Sequence, residues 1–72
     1  MRRPLKLLDM VAVLRSSNDP EVHAGDVGTV VELLPPNALE VEFVRRDGRT
    51  RHIGTLTTQD VLVLNRERTR VA

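Results

Sequence analysis

Two runs of alternating apolar and polar residues, Gly28 to Leu34 and Ala38 to Val44, flank the break Pro35-Pro36-Asn37. A period of two puts successive side chains on opposite faces of a strand. Both runs are also rich in the β-branched residues that suit a pleated, half-buried surface. Proline donates nothing to a ladder, so the break predicts a turn and the two runs pair antiparallel. Upstream, Asp9 to Leu14 (DMVAVL) predicts a first strand, and Arg15 to Asp26 (RSSNDPEVHAGD), rich in Ser, Asn, Asp, Pro and Gly, predicts a long irregular loop. Gly25 and Gly28 suit the sharp turn and strand start that follow, where a Cβ would clash.

Downstream, Asp47-Gly48 signals a hairpin, because a primed turn needs positive φ, which both residues tolerate. Arg49 to Thr57 then returns as a fourth strand. Thr57-Thr58-Gln59-Asp60 predicts one helical turn, Val61 to Leu64 a fifth strand, and Asn65 to Ala72 a tail without apolar pattern. A two-residue turn would set Val44 opposite Arg51, Phe43 opposite His52, Val41 opposite Gly54 and Leu39 opposite Leu56. Opposed residues share a face. The core would then hold Leu39, Val41, Phe43 and Leu56 with His52 at its rim, and Glu40, Glu42, Arg49, Arg51 and Ile53 would face out. A three-residue loop with Gly48 as a bulge would exchange His52 for Ile53.

Five short strands, a long loop after the first, hairpins after the second and third and a helical turn before the fifth make the order of a small all-β, SH3-like five-stranded antiparallel barrel. The 72 residues form a single domain, with the barrel over about 7–65 and basic arms at 1–6 and 66–72. A chain this short buries only about 60% of its unfolded surface, so each large apolar residue counts.

Charge and composition narrow the function classes. The formal net charge is +1, yet residues 7–65 carry five arginines against nine acids, so the body is acidic and the arms are basic. Such a body is a poor general ligand for phosphate backbones. The chain has no cysteine, hence no disulfide framework or thiolate metal site, and a reducing cytoplasm is the expected location. Lys6 and Asp9 interrupt the apolar run near the start, and no 18-residue apolar stretch exists to span a membrane. One phenylalanine, assigned to the core, leaves no aromatic platform for stacking bases or gripping proline-rich peptides.

Candidate chemistry is sparse. His23 and His52 are the only histidines, and their spacing with the carboxylates suggests no metal cluster or cofactor site. Ser16, Ser17, His23 and Asp26 contain the letters of a hydrolytic triad but share a loop that announces no oxyanion hole. Glu40 and Glu42, two apart, are the solvent side of a strand, and no enzymatic activity is expected. Arg45, Arg46, Arg49 and Arg51 cluster at one hairpin and could meet phosphates, although Arg51 also lies diagonal to Glu42 across the strands.

The segments LLDMVAVL, AGDVGTVVEL, ALEVEFVRRDGRT and TLTTQDVLVL, spanning roughly Leu7 to Leu64, resemble small uncharacterised bacterial proteins of domain-of-unknown-function family 4926. GDVGTVVE at Gly25 to Glu32, EVEF at Glu40 to Phe43 and TLTTQDVL at Thr55 to Leu62 carry the resemblance. It implies no established activity. It does imply members that look like partners of neighbouring genes, including toxin- and antitoxin-like pairs. The chain departs from its relatives at Arg51, where they tend to carry an aromatic, and in its arginine-rich tail. GDVGTVVEL also resembles the glycine-valine motif of small barrels in ribosomal and transcription-elongation proteins.

The expected function is therefore a non-catalytic protein-interaction module, an accessory or antitoxin-like partner of a neighbouring gene product, with edge strands open to self-association or strand addition. Its candidate contact residues are Ser16, Asn18, Asp19, Glu21 and His23 on the long loop and Arg45, Arg46, Arg49 and Arg51 on the hairpin. The competing class is RNA or DNA binding through the arginine-rich hairpin and tail.

Overall fold

The computed structural model describes residues 5–49 and 51–64; the C-terminal basic arm and most of the N-terminal one lie outside them. Five strands follow the predicted order: β1 Met10–Val13, β2 Val27–Leu34, β3 Ala38–Val44, β4 Arg51–Thr57 and β5 Val61–Val63, with a 3₁₀ turn at Thr58–Asp60 before the last. All pair antiparallel in one sheet of order β4-β3-β2-β1-β5. Chain connectivity curls this sheet. Laid flat, five strands about 4.8 Å apart would separate its edges by roughly 19 Å. Yet β4 and β5, the two edges, are joined through a single 3₁₀ turn that advances only about 2 Å per residue. The sheet therefore coils until its edges approach at that corner. The hydrogen-bonded ladder stays open between β4 and β5, so the barrel predicted from the sequence is a strongly curled open sheet.

Inside the curl lie Val11, Val13, Val22, Val30, Leu39, Val41, Phe43, Leu56 and Val61, with Leu5 and Val63 packed against them. The β3–β4 register is the one the alternation predicts, with Val44 opposite Arg51, Phe43 opposite His52, Val41 opposite Gly54 and Leu39 opposite Leu56. His52 is half-buried and faces in; Ile53 is exposed and faces out. The turn itself is wider than a two-residue hairpin. Gly48 N donates to the Arg45 carbonyl at 2.8 Å, closing a four-residue turn with Gly48 at φ 71°. Enlarging a hairpin loop by an even number of residues preserves its parity, which is why the register survives.

The alternation of β2 fails at one place. Thr29 and Val30 pair with Glu42 and Val41, but the register shifts between Val30 and Glu32, so Val31 is an extra residue opposite β3. This β-bulge sharpens the local twist. Beyond it Glu32 pairs with Glu40 on the outer face, and Leu33 with Leu39 on the inner. The Pro35-Pro36 peptide in the following turn is cis.

Candidate functional site

The long loop between β1 and β2 is built, residue by residue, onto the inner face. Val22, the one large apolar side chain in a polar segment, is only 1% exposed and joins the core. Before it, Asp19 arranges a local turn: its amide donates to Ser17 Oγ (3.1 Å), its Oδ1 accepts from the Glu21 amide (2.9 Å), and its carbonyl accepts from the Val22 amide (3.0 Å). Asp19 Oδ2 reaches across to Nε2 of His52 on β4 at 2.7 Å. The Glu21 amide, and next the His52 ring, hold the Asp19 carboxyl below its usual value. Glu21 forms an ion pair with Arg45 at the start of the hairpin turn. After Val22, the His23 amide donates to Asp26 Oδ2 (2.8 Å), and the Asp26 carbonyl accepts from Val13.

Structure thus joins the two regions singled out from the sequence. Asp19 and Glu21 of the loop meet His52 and Arg45 of the β3–β4 hairpin, and a Cβ built on Gly54 would lie 3.0 Å from Val22 Cγ2. Ser16, Asn18 and His23 remain exposed at the loop surface. Neither Ser16 nor Ser17 hydrogen-bonds His23 among the described residues, while His23 lies 3.9 Å from Asp26. Nor do those residues hold any group of three or more His, Cys, Asp or Glu placed to bind a metal ion. No helix among them is long and apolar enough to cross a membrane.

The four hairpin arginines divide in two. Arg45 is held by Glu21, and Arg51 Nη1 lies 3.2 Å from Glu42 Oε2, the predicted diagonal pair. Arg46 and Arg49 are exposed and make no ion pair among the described residues. At the other end of the sheet Arg15 Nε donates to Asp60 Oδ1 at 2.8 Å. That contact, with the Thr57 hydroxyl and amide, lowers the Asp60 carboxyl below its ordinary value.

Sequence reasoning missed the outer face of the sheet as a candidate surface. Cross-strand pairing lines up Leu62, Ala12 and Val27 in one row and Met10, Thr29, Glu42 and Ile53 in the next. Val44 lies two residues beyond Glu42 on β3 and belongs to the first row. Leu62, Val27, Val44, Met10 and Ile53 are 43–54% exposed, and Leu8 and Leu64 add apolar surface beside Met10. Leu8 sits at φ 71°, a region favouring glycine, and presents a side chain 73% exposed. The missed signal was the short apolar runs MVAV and VLV: in a strand covered on one face only, half of such residues must point outward.

The β4 edge is also open. Thr58 N donates to the Asn37 carbonyl, so the alternation of the ladder directs His52, Gly54 and Leu56 toward β3. The backbone groups of Arg51, Ile53 and Thr55 point away from the sheet.

The family described as Domain of unknown function (DUF4926) matches residues 7–63. The chain belongs to that family. No curated protein and no solved structure matches it.

Proposed function

We propose that this protein is a non-catalytic interaction module, an accessory partner of another protein, and that the outer face of its sheet is the docking surface. The observation that supports this most directly is the exposed apolar row-pair Leu62, Val27, Val44, Met10 and Ile53. Exposed apolar side chains gathered on one face of a small domain mark an interaction site, and a core as thin as this one would not forgo those side chains without use for them. The clamped loop and the free β4 edge frame the same hairpin. An incoming strand at β4 would extend the sheet and gain a wall of apolar side chains.

Nucleic-acid binding has less support. Two of its four arginines are neutralised by Glu21 and Glu42, and the one phenylalanine is 6% exposed. Localisation in the cytoplasm fits the absence of cysteine and forms part of the proposal.

The test is affinity capture from host lysate, with and without nuclease, using wild type and the double variant Ile53→Gln, Leu62→Gln. A stoichiometric protein that survives nuclease and is lost with the variant is the expected result. Recovery of nucleic acid, or of proteins lost after nuclease, would overturn it.

A further inference from the structure

We infer that the outer face of β2, β3 and β4 is self-complementary and takes a second copy of this chain, packed face to face about a two-fold axis lying across the strands. The inference rests on the docking surface proposed above and identifies one occupant for it.

Charge carries the argument. Most ionisable side chains of the described residues already have a partner: Arg15 with Asp60, Arg45 with Glu21, Arg51 with Glu42, His52 with Asp19, and His23 with Asp26. The side chains left over along these strands and at their hairpin tip are not scattered. Glu32 and Glu40 sit directly opposite one another on β2 and β3, a like-charge pair that destabilises the isolated sheet. Arg46 and Arg49 are exposed on the hairpin tip just beyond the far end of β3, with Asp47 between them accepting from the Arg49 amide, so the tip keeps a net positive charge. Between the carboxylate pair and the arginines lie the exposed Val27, Val44 and Ile53, with Met10 beside them. Among them lie Thr29 and the Arg51–Glu42 pair, which neutralises itself. The face is thus acidic at one end, largely apolar and without net charge in the middle, and basic at the other. From Glu40 to the tip is roughly 20 Å at about 3.4 Å per residue.

A two-fold axis in the plane of the contact, perpendicular to the strands, reverses one copy end for end. It sets the arginine tip of each copy over the Glu32–Glu40 pair of the other and closes the neutral middle, with Val27, Val44 and Ile53, on itself. Isologous contact repeats each complementary pair twice, and two sheets stacked with nearly aligned strands are an ordinary packing. The same rotation relieves the repulsion between Glu32 and Glu40. A partner lacking this end-to-end polarity would leave one pair of charges unanswered.

The test is sedimentation equilibrium on the purified protein at low and high salt, with two charge-reversed variants, Glu32→Lys/Glu40→Lys and Arg46→Glu/Arg49→Glu. Glu32 is exposed and Glu40 half-buried on the outer face, Arg46 and Arg49 are exposed on the hairpin tip, and circular dichroism checks that each variant stays folded. Wild type is expected to dimerise and to weaken as salt rises. Each variant alone is expected to dissociate, with dimer affinity reduced on the order of a hundredfold, since like charges then meet at both ends. Mixing the two variants should restore a heterodimer, because every end then meets its opposite. A monomeric wild type at millimolar concentration, a dimer indifferent to both reversals, or a mixture that stays monomeric would each overturn the inference. None of these results would affect capture of a different protein from lysate, so the broader reading stands or falls separately.

Discussion

A methyl group at position 28 would lie 2.6 Å from Val41 Cγ1, 2.7 Å from the Glu42 carbonyl oxygen and 2.9 Å from Phe43 Cδ1. One of those atoms is backbone and the other two belong to buried, close-packed side chains, so none can retreat cheaply. Gly28→Ala is therefore expected to cost about 3 kcal/mol, near the upper range for overpacking a core, read as a lower urea midpoint with unchanged slope. Gly54 makes the contrast: its nearest neighbours are Val22 at 3.0 Å and the Asp19 carboxylate at 3.3 Å, both on the loop. Gly54→Ala should cost about 1 kcal/mol, with loosening confined to the loop. Two carboxylates set the acid response. Asp19 and Asp60 are both held below the usual carboxylate range when folded. Between the folded and unfolded values the unfolded chain binds more protons, so stability rises with pH there. The contribution is fully present above the unfolded value, near pH 4, and is lost as pH falls through the lower folded one. Urea midpoints measured from pH 6 down to pH 2 should fall for wild type and fall less for Asp19→Asn. Equal slopes for the two proteins would show that the Asp19 interactions do not favour the ionised form.

At the scale of elements, the long loop behaves as part of the sheet. Its anchors are one apolar side chain, Val22, and two polar contacts, Asp19 with His52 and Glu21 with Arg45. The apolar anchor should dominate, because exposed ion pairs contribute little while Val22 is buried among side chains that cannot fill its place. Val22→Ala is expected to cost about 2 kcal/mol and to raise amide exchange across residues 17–24 before the strands respond. Glu21→Gln should be nearly neutral. Uniform exchange through loop and strands alike would show that the loop opens only with the whole molecule. Strands, their order and the β3–β4 register were legible in the sequence because alternation is a local signal that pairs itself once a turn fixes parity. The loop's anchoring was not legible. Asp19 and His52 are 33 positions apart, and in one dimension each reads as a solvated polar residue. Val22 was the usable clue, a lone valine amid Ser, Asn, Asp and Pro. The bulge at Val31 was hidden for a related reason, since Val30-Val31 reads equally well as one inward and one outward residue.

For the molecule as a whole, the two faces of one sheet make opposite demands. At 72 residues, stability of about 0.05–0.15 kcal/mol per residue amounts to only a few kcal/mol at the lower end. The inner face supplies nearly all of it, through a cluster in which Leu39, Val11, Val30 and Val41 are fully buried. Leu39→Ala removes the largest of these and should cost about 3 kcal/mol, enough to leave a substantial unfolded population at 37 °C. Ile53, on the opposite face of β4 from Leu56 and 54% exposed, is as apolar as Leu39 but carries almost none of that burden. Ile53→Gln is expected to shift the thermal midpoint by no more than the equivalent of about 0.5 kcal/mol, because the side chain leaves water only when something covers it. The pair of measurements separates structural from functional hydrophobicity: the first substitution lowers stability and, through that, everything else, whereas the second leaves the folded monomer intact and removes association. Should Ile53→Gln instead destabilise the dilute monomer as much as Leu39→Ala, the outer face would be buried within a single chain, and its role as a docking surface would be withdrawn.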